Sequence, residues 1–301
     1  MTWRPWREAM QTALYGPNGF YRRERPLSHF HTSAALAPFA DAVRTLAGRV
    51  DDLLDRPDPF DVVDLGAGGG ELLGSLPDVP PRWRLTAVEV EPDAGGAPLR
   101  WMSTVPSVHG LLFANEWLDS VPLDVVSSGR TLEVSDDGTE RLGPPADKAA
   151  LGWCRRWWPD GRAEVGLTRD RAWVDASGRV ERGLAVAVDY GHTADTRRAT
   201  LTGYRNGRQV LPTPDGSCDL TAHVALDSAA TATGSIVMSQ REALRILGLS
   251  GSVPGHLPGT VLPEELQRAS EEAELLAPSG FGSFSWLLRP VGIADPLRLG
   301  R

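Results

Sequence analysis

The sequence predicts an α/β fold in which a mostly parallel sheet has helices on both faces and includes a terminal antiparallel strand. The first observation is a short, apolar, β-branched run at residues 61–65, followed by a glycine-rich turn. The second is the alternation of strand-like and helix-like segments, which is typical of parallel crossovers. The third is the unbroken apolar run at 183–189, which indicates a strand covered on both faces.

Two helical segments precede the first core strand. Residues 3–14 have the pattern of a short helix that ends at the turn-forming residues 15–19. Residues 33–54 keep apolar side chains at helical spacing until prolines end the pattern. We therefore predict an N-terminal helical segment at 1–56, acting as a lid over a substrate, and a main domain at 57–301.

The later elements complete the sheet and interrupt it with an insertion at about 118–182. Because ligands bind beyond the carboxyl ends of parallel strands, the residues that follow each core strand are the candidates for function. The predicted elements are a helix at 71–76; core strands at 84–90, 110–114 and 183–189; insertion strands at 123–126 and 131–134; insertion helices at 146–158 and 168–180; a hairpin at 200–210; helices at 239–248 and 262–277; and a last strand at 281–289.

The composition is that of an ordinary globular protein with an acidic balance. Of the 301 residues, 41% are hydrophobic and 23% are charged, and the formal net charge is −8. This charge argues against broad nucleic-acid binding and is compatible with a cationic partner. No apolar run is long enough for a membrane span or a secretory signal, so we expect a cytoplasmic protein. Cys154 and Cys218 lack metal-binding or redox spacing, and no metal site is predicted.

A glycine-rich turn after the first core strand is the main candidate for ligand binding. Gly66, Gly68 and Gly70 follow Asp64 closely, and glycine permits both a positive φ and close approach of a ligand to the backbone. A dinucleotide-binding fingerprint would require a glycine where Glu71 stands. A carboxylate at the place of a diphosphate favours S-adenosylmethionine, which is cationic and carries no phosphate.

The second core strand supplies an acidic partner for this turn. Glu89 lies at its end, where a carboxylate can accept hydrogen bonds from both ribose hydroxyls, and Glu91 is a nearby alternative. Two other interpretations remain open. One is a purely structural turn with a surface glutamate, and the other is a nicotinamide-dependent oxidoreductase. The predicted cofactor-binding residues are Asp64, Gly66, Ala67, Gly68, Gly70, Glu89 and Asn115.

Six short segments resemble, in the same order, the MidA-like family of class I methyltransferases, which are linked to the assembly of mitochondrial respiratory complex I. The segments are 13–21 (ALYGPNGFY), 29–33 (HFHTS), 114–122 (ANEWLDSVP), 188–191 (VDYG), 200–205 (TLTGYR) and 219–224 (DLTAHV). The resemblance implies a Rossmann-like class I sheet, S-adenosylmethionine as cofactor, and methylation of arginine on a protein substrate.

Two segments depart from the family pattern. Residues 28–30 read Ser-His-Phe, where the family has Gly-Asp-Phe. The stretch between Glu89 and Gly110 is short, which predicts that a helix and a strand of the family's fold are trimmed.

Methylation of arginine requires carboxylates, because the guanidinium is protonated and a poor nucleophile that must be oriented as a planar fork. Glu116, just past the third core strand, is the first candidate for this task. Asp189 and His223 complete the predicted catalytic set. Asp189 would line the pocket or orient Tyr190, and His223 would act as a general base or a hydrogen-bond partner of the substrate.

Substrate binding is predicted for His31 and Thr32, which precede the second helix, and for Tyr190. Each candidate also has a structural interpretation, as a helix cap, a turn former or a packed side chain. Two other functions remain open. One is a methyltransferase acting on a small molecule, and the other is a non-catalytic assembly or interaction protein that retains the fold.

Overall fold

The computed structural model describes residues 2–23, 32–90, 99–252 and 262–298. They form two compact units, each assembled from separate stretches of the chain. The sheet unit consists of the described parts of three stretches, which are Thr32–Asn115, Ala176–Val188 and Ser235–Arg301. The insertion unit consists of the described parts of the others, which are Met1–His31, Glu116–Asp175 and Asp189–Gly234.

The described residues contain many short strands and fewer, mostly short, helices. The strands are β1 (Arg4–Pro5), β2 (Phe60–Leu65), β3 (Trp83–Val88), β4 (Arg100–Met102), β5 (Val108–Asn115), β6 (Asp124–Ser127), β7 (Arg130–Val134), β8 (Glu140–Pro145), β9 (Arg162–Val165), β10 (Val180–Asp189), β11 (Gly191–His192), β12 (Thr202–Arg205), β13 (Arg208–Val210), β14 (Asp219–Thr221), β15 (Val224–Ala225), β16 (Ile236–Ser239) and β17 (Ser285–Val291). The helices are α1 (Trp6–Tyr15), α2 (Phe20–Arg23), α3 (Ala37–Leu53), α4 (Glu71–Gly74), α5 (Lys148–Trp157), α6 (Leu167–Ser177), α7 (Leu226–Thr233), α8 (Gln240–Ile246) and α9 (Pro263–Leu275).

The sheet unit contains a seven-stranded sheet in the order β16-β17-β10-β5-β2-β3-β4. The pairs from β10 to β4 are all parallel, and β17 runs antiparallel to β16. Every residue of β2 is buried, as its continuous apolar and β-branched sequence predicts for a central strand. The predicted α/β fold is confirmed, and in this unit the strands from β10 to β4 pair in parallel while the last two strands, β16 and β17, pair antiparallel.

The core of the sheet unit is formed by one face of α3 and by the central strands. Phe39, Val43 and Leu46 recur at helical spacing and are completely or almost completely buried. The ring of Phe113 on β5 packs edge-to-face against Phe39 at 6.0 Å and against Trp286 on β17 at 5.6 Å between centroids. Each such side chain contributes about 1.5–3 kcal/mol by leaving water, so α3 is held to the sheet by its apolar stripe.

The insertion unit is built around an antiparallel sheet in the order β1-β7-β6-β9, with β8 also paired to β7. The apolar face of α1 contributes Trp6, Met10 and Leu14 to a buried cluster with Leu123 and Leu132. The N-terminal helix therefore belongs with the inserted strands. This division differs from the predicted boundary at residue 56, since residues 32–56 belong to the sheet unit.

The structure also contains strands that the sequence patterns did not predict. β8 and β9 carry charged residues and, in β8, adjacent prolines, so neither shows a clean alternation of apolar and polar residues. The prediction that a strand is trimmed between Glu89 and Gly110 was wrong, because β4 pairs in parallel with β3 there. Residues 91–98 of that stretch, including Glu91, lie outside the described residues.

Several predicted boundaries shifted. The second helix begins at Ala37 rather than at Ser33, because Ser33–Ala35 form a 3-10 turn first. The helix predicted at 71–76 is the single turn of α4. Within the described ranges, no helix combines the length and apolar character that crossing a membrane requires, and no group of metal-ligating side chains is present.

Candidate active site

The glycine turn lies between β2 and α4 in the sheet unit. Gly66, Gly68 and Gly70 have φ values of 75°, 56° and 83°, which glycine adopts far more readily than other residues. A Cβ at Gly70 would lie only 2.7 Å from Leu99 and 3.2 Å from the ring of Trp101. The turn therefore requires glycine both for its backbone conformation and for its packing.

Two amide N–H groups at the start of the turn attach it to the end of β3. Gly66 and Ala67 both donate to the carbonyl of Val88, at 2.9 and 3.2 Å. Glu89, the residue that follows β3, accepts the Gly68 N–H at 3.0 Å and the Val90 N–H at 2.7 Å. The structure thus brings together the two halves of the predicted cofactor site, the bare backbone of the turn and its acidic partner.

Three carboxylates influence one another at this turn. Asp64 is buried at the end of β2, and burial, with additional repulsion from Glu71 and Glu89, raises its pKa to about 7. Burial also raises the pKa of Glu89, with Glu71 adding to the rise. Glu71 itself accepts the Gly69 N–H at 2.9 Å. The negative potential of this cluster suits a cationic ligand and opposes a phosphate.

Asn115 ends β5, at the same edge of the parallel sheet as the ends of β2 and β3. Its side-chain oxygen accepts a hydrogen bond from the hydroxyl of Ser33, at 3.2 Å. Ser33 is buried and follows Thr32, whose carbonyl accepts the Ala35 N–H and so begins the 3-10 turn. Thr32 thus lies in the sheet unit, one residue before Ser33, whereas His31 lies outside the described residues.

Glu116 begins the second stretch of the insertion unit and directly follows β5 in sequence. It has a φ of 52°, in the left-handed region that residues with a side chain seldom adopt. Such conformations are concentrated at functional sites, because the surrounding structure must hold them against their strain. Asp55 and Asp78, like several other residues with side chains, also have a positive φ, so the functional role of Glu116 stays a prediction.

Asp189 is 1% exposed, and both its carboxylate oxygens accept hydrogen bonds from backbone amides. One oxygen accepts the N–H groups of Leu118 and Asp119, at 2.9 and 3.1 Å, and the other accepts the Tyr190 N–H at 3.0 Å. Burial and repulsion from Asp119 and Glu116 raise its pKa well above the usual value. These bonds fit the structural interpretation of Asp189, which holds the turn after Glu116; its catalytic role stays a prediction.

Tyr190 binds a second buried carboxylate. Its hydroxyl donates to Asp119 and also contacts the hydroxyl of Thr221, at 2.6 Å. Burial raises the pKa of the Tyr190 phenol well above its usual value, and the charge of Asp119 adds to the rise. A nearby third acid, Asp219, accepts the hydroxyl of Tyr21 at 2.7 Å. Tyr190 therefore belongs to a buried polar network of the insertion unit.

Arg169 provides the positive charge in this network. It is 1% exposed, and its guanidinium donates to the backbone carbonyls of Asp119, Val121, Ala222 and His223. Burial lowers the pKa of Arg169, and the charge of Asp119 opposes that effect. The fork of the guanidinium holds two loops together that are distant in sequence.

His223 lies against the ring of Tyr190, with the centroids 5.0 Å apart, and is stacked on His192 at 6.3 Å. Burial, followed by the positive charge of Arg198, lowers the pKa of His223. The imidazole is therefore neutral near neutral pH, but the same burial makes it a weaker base, and its role as a base stays a prediction. His192, which the sequence did not indicate, has its pKa lowered to about 4 by burial and by Arg197.

A protein-family model matches more than half of the chain. Residues 84–240 match a family model described as "Putative S-adenosyl-L-methionine-dependent methyltransferase". The chain belongs to this methyltransferase family. The predicted cofactor, S-adenosylmethionine, is confirmed by this membership, which is also consistent with the resemblance to the MidA-like family. Among proteins with curated functions, none matches the methyltransferase.

Two solved structures from Burkholderia thailandensis share the fold of the methyltransferase. One is a COG1565 superfamily member described as a "likely methyl transferase" and bound to S-adenosyl-homocysteine. It is 20% identical, the alignment covers 99% of this chain and 91% of that chain, and the TM-score is 0.81. The other is an uncharacterised COG1565 superfamily protein at 22% identity, with 98% and 89% coverage and a TM-score of 0.75.

Sequence reasoning missed several residues of the polar network in the methyltransferase. Asp119 and Asp219 lie inside segments that were singled out for their family resemblance, so their positions carried a signal. Tyr21 also lies in such a segment. Arg169 does not, and its helix α6 mixes charged and apolar residues without a distinct apolar face. Its burial among backbone carbonyls could be found only in the folded structure.

Proposed function

We propose that the protein transfers a methyl group from S-adenosylmethionine to an arginine side chain of a protein or peptide substrate. The observation that carries this proposal is the placement of Glu116, an acid in a left-handed backbone conformation directly after the candidate cofactor residue Asn115. The resemblance to arginine methyltransferases supports the choice of substrate. The net charge of −8 is compatible with a basic partner.

The residues of the sheet unit fit the cofactor. The bare backbone of Gly66, Gly68 and Gly70 allows close approach, Glu89 would bind the ribose hydroxyls, and Asn115 would bind the amino-acid end. The acidic surroundings of Asp64 and Glu89 suit a cation that carries no phosphate. When bound, the cofactor supplies an electrophilic methyl group on a sulfonium.

The sheet topology supports a class I Rossmann-like arrangement for this unit. β2, β3 and β4 lie in consecutive parallel order on one side of β5. β10 lies on its other side, next to β17, which pairs antiparallel with β16. As part of this proposal, helices cover both faces of the sheet, as the sequence predicts. In such an arrangement, the ends of β2, β3 and β5 line the cofactor site.

The residues of the insertion unit have tasks that an arginine substrate demands. Glu116 would orient the guanidinium through paired hydrogen bonds and draw positive charge away from the attacking nitrogen. His223, neutral because its pKa is lowered, would accept the proton that the guanidinium loses. Asp189 acts as a positioning residue, since it holds the backbone of Leu118 and Asp119. Tyr190, together with Thr32 and His31, is proposed to contact the substrate.

The direct test is incubation of the purified protein with isotopically labelled S-adenosylmethionine and a lysate of its own source. Mass spectrometry of labelled proteins should locate the methyl group on arginine. Glu116→Gln should retain binding of S-adenosylhomocysteine and lose labelling, because the amide cannot pair with the guanidinium as a carboxylate does. Glu8→Gln, an exposed glutamate on α1, is the matched control and should label normally.

Each other outcome points to a different function. A label on another residue type, or on a small molecule, would replace arginine as the acceptor. Cofactor binding without any labelling would favour a non-catalytic assembly protein. Labelling by Glu116→Gln at the wild-type rate would remove Glu116 from the proposed mechanism.

A further inference from the structure

The amide N–H groups of the glycine turn are all accounted for within the protein. Gly66 and Ala67 donate to a backbone carbonyl of β3, and Gly70 donates to the carbonyl of Ala67 at 2.8 Å. The two amides that remain, Gly68 and Gly69, donate to carboxylates. In phosphate-binding loops, such amides are the groups that bind the phosphate oxygens.

The two carboxylates differ in what they can do when a nucleoside binds. Glu89, which accepts the Gly68 N–H, is the residue proposed to turn to the ribose hydroxyls. Glu71, which accepts the Gly69 N–H at 2.9 Å, is the first residue of α4 and reaches back over the turn. A Cβ at Gly68 would lie 3.2 Å from the Glu71 carboxylate, so this carboxylate lies directly beside the turn.

The helix after the turn adds little attraction for an anion. α4 has only four residues, and a helix dipole of that length is weak. Around the turn, Glu71 and Glu89 are two neighbouring carboxylates, and repulsion from both contributes, after burial, to the raised pKa of Asp64. A phosphate at this position would lose the Gly69 amide and would meet an uncompensated carboxylate.

We propose that Glu71 is a specificity-determining residue, which excludes phosphate-bearing nucleotides from the glycine turn by occupying the Gly69 amide and placing a negative charge beside it. The turn then accepts nucleosides without phosphates, the class to which the methyl donor belongs. This inference rests on the cofactor part of the proposed function and is independent of the substrate that is methylated.

The test compares the affinities of adenosine and ADP, measured by titration calorimetry without divalent cations. Wild-type protein should bind adenosine more tightly than ADP. In Glu71→Ala, ADP affinity should rise by about tenfold or more relative to adenosine, because a charge-assisted interaction with the freed amide becomes available. Glu71→Gln removes the charge but can still accept the amide, so it should show a smaller rise.

Glu242→Ala is the matched control, because Glu242 is an exposed glutamate in the first turn of α8, also in the sheet unit. The ratio of its ADP affinity to its adenosine affinity should equal that of the wild type. An unchanged ratio in Glu71→Ala would overturn the inference, as would a wild-type protein that binds ADP as tightly as adenosine. If Glu71→Ala does not fold, Glu71→Gln supplies the same comparison. If Glu71→Ala shows the altered ratio of ADP to adenosine affinity but the wild type does not methylate arginine, only the proposed substrate is refuted.

Discussion

The phenol of Tyr190 donates a hydrogen bond to the carboxylate of Asp119, 71 residues earlier in the chain. Asp119 is 5% exposed, and its other carboxylate oxygen has no hydrogen-bond partner within the described residues. Tyr190 is therefore the main side-chain partner of a buried acid in a segment that follows Glu116. This bond links Tyr190, a predicted substrate-binding residue, to the segment that follows Glu116, a predicted catalytic residue.

Replacing Tyr190 with phenylalanine should destabilise the protein by about 1–3 kcal/mol, because a buried carboxylate loses its donor. Chemical denaturation measures the change in the free energy of unfolding. The double variant with Asp119→Leu should be less destabilised than the sum of the two single variants, since neither partner is then left unsatisfied. Strict additivity would show that the bond contributes nothing.

Arg169→Lys should be strongly destabilising, by about 3–5 kcal/mol, although the formal charge is kept. A lysine ammonium cannot reproduce the planar fork that reaches the carbonyls of Asp119, Val121 and Ala222 together. Denaturant unfolding checks this, with Arg155→Lys, an exposed arginine on α5, as the control. Equal stability of the two variants would contradict the structural role of Arg169.

Gly70→Ala should weaken binding of S-adenosylhomocysteine by at least tenfold, because the new Cβ would overlap Leu99 and distort the turn. Gly234→Ala is a close control, since Gly234 has a φ of 70° and nothing within 4 Å of an added Cβ. Both substitutions should cost about 1–2 kcal/mol of stability through the left-handed backbone. Only Gly70→Ala should reduce affinity in calorimetry, and equal loss in both would point to general destabilisation.

Asp64 should make the protein less stable as the pH rises. Its pKa is raised to about 7 in the folded protein, so between about pH 4 and 7 the folded state holds a proton that the unfolded state has released. The contribution of the protonated carboxyl is therefore fully present at low pH and is lost as the pH rises towards 7, by up to about 1.4 kcal/mol per pH unit.

The comparison of wild type with Asp64→Asn isolates this effect from other titrating groups. The asparagine variant should gain stability relative to the wild type as the pH rises from about 4 to 7, and the difference should then level off. Denaturation series at several pH values measure it. A difference that does not change with pH would mean that Asp64 titrates normally.

Much of the sheet unit could be predicted from local sequence patterns. The buried run that became β2, the glycine turn and the apolar stripe of α3 are each encoded by residues close together in the chain. The pairing of the turn with Glu89 was also predictable, because parallel strands bring their carboxyl ends to one edge of the sheet. Weakly patterned strands such as β8 were not, since β8 is mostly exposed and contains a glycine and two adjacent prolines.

The sequence by itself determined the fold class, the cofactor class and the position of the glycine turn, because periodicity, glycine and charge act over short stretches of chain. Only the tertiary structure decided which buried polar groups meet. Tyr21 and Asp219 are 198 residues apart, and Arg169 joins two loops by donating to their backbone carbonyls. Such partners depend on which segments the packed cores bring together, and no local pattern carries that information.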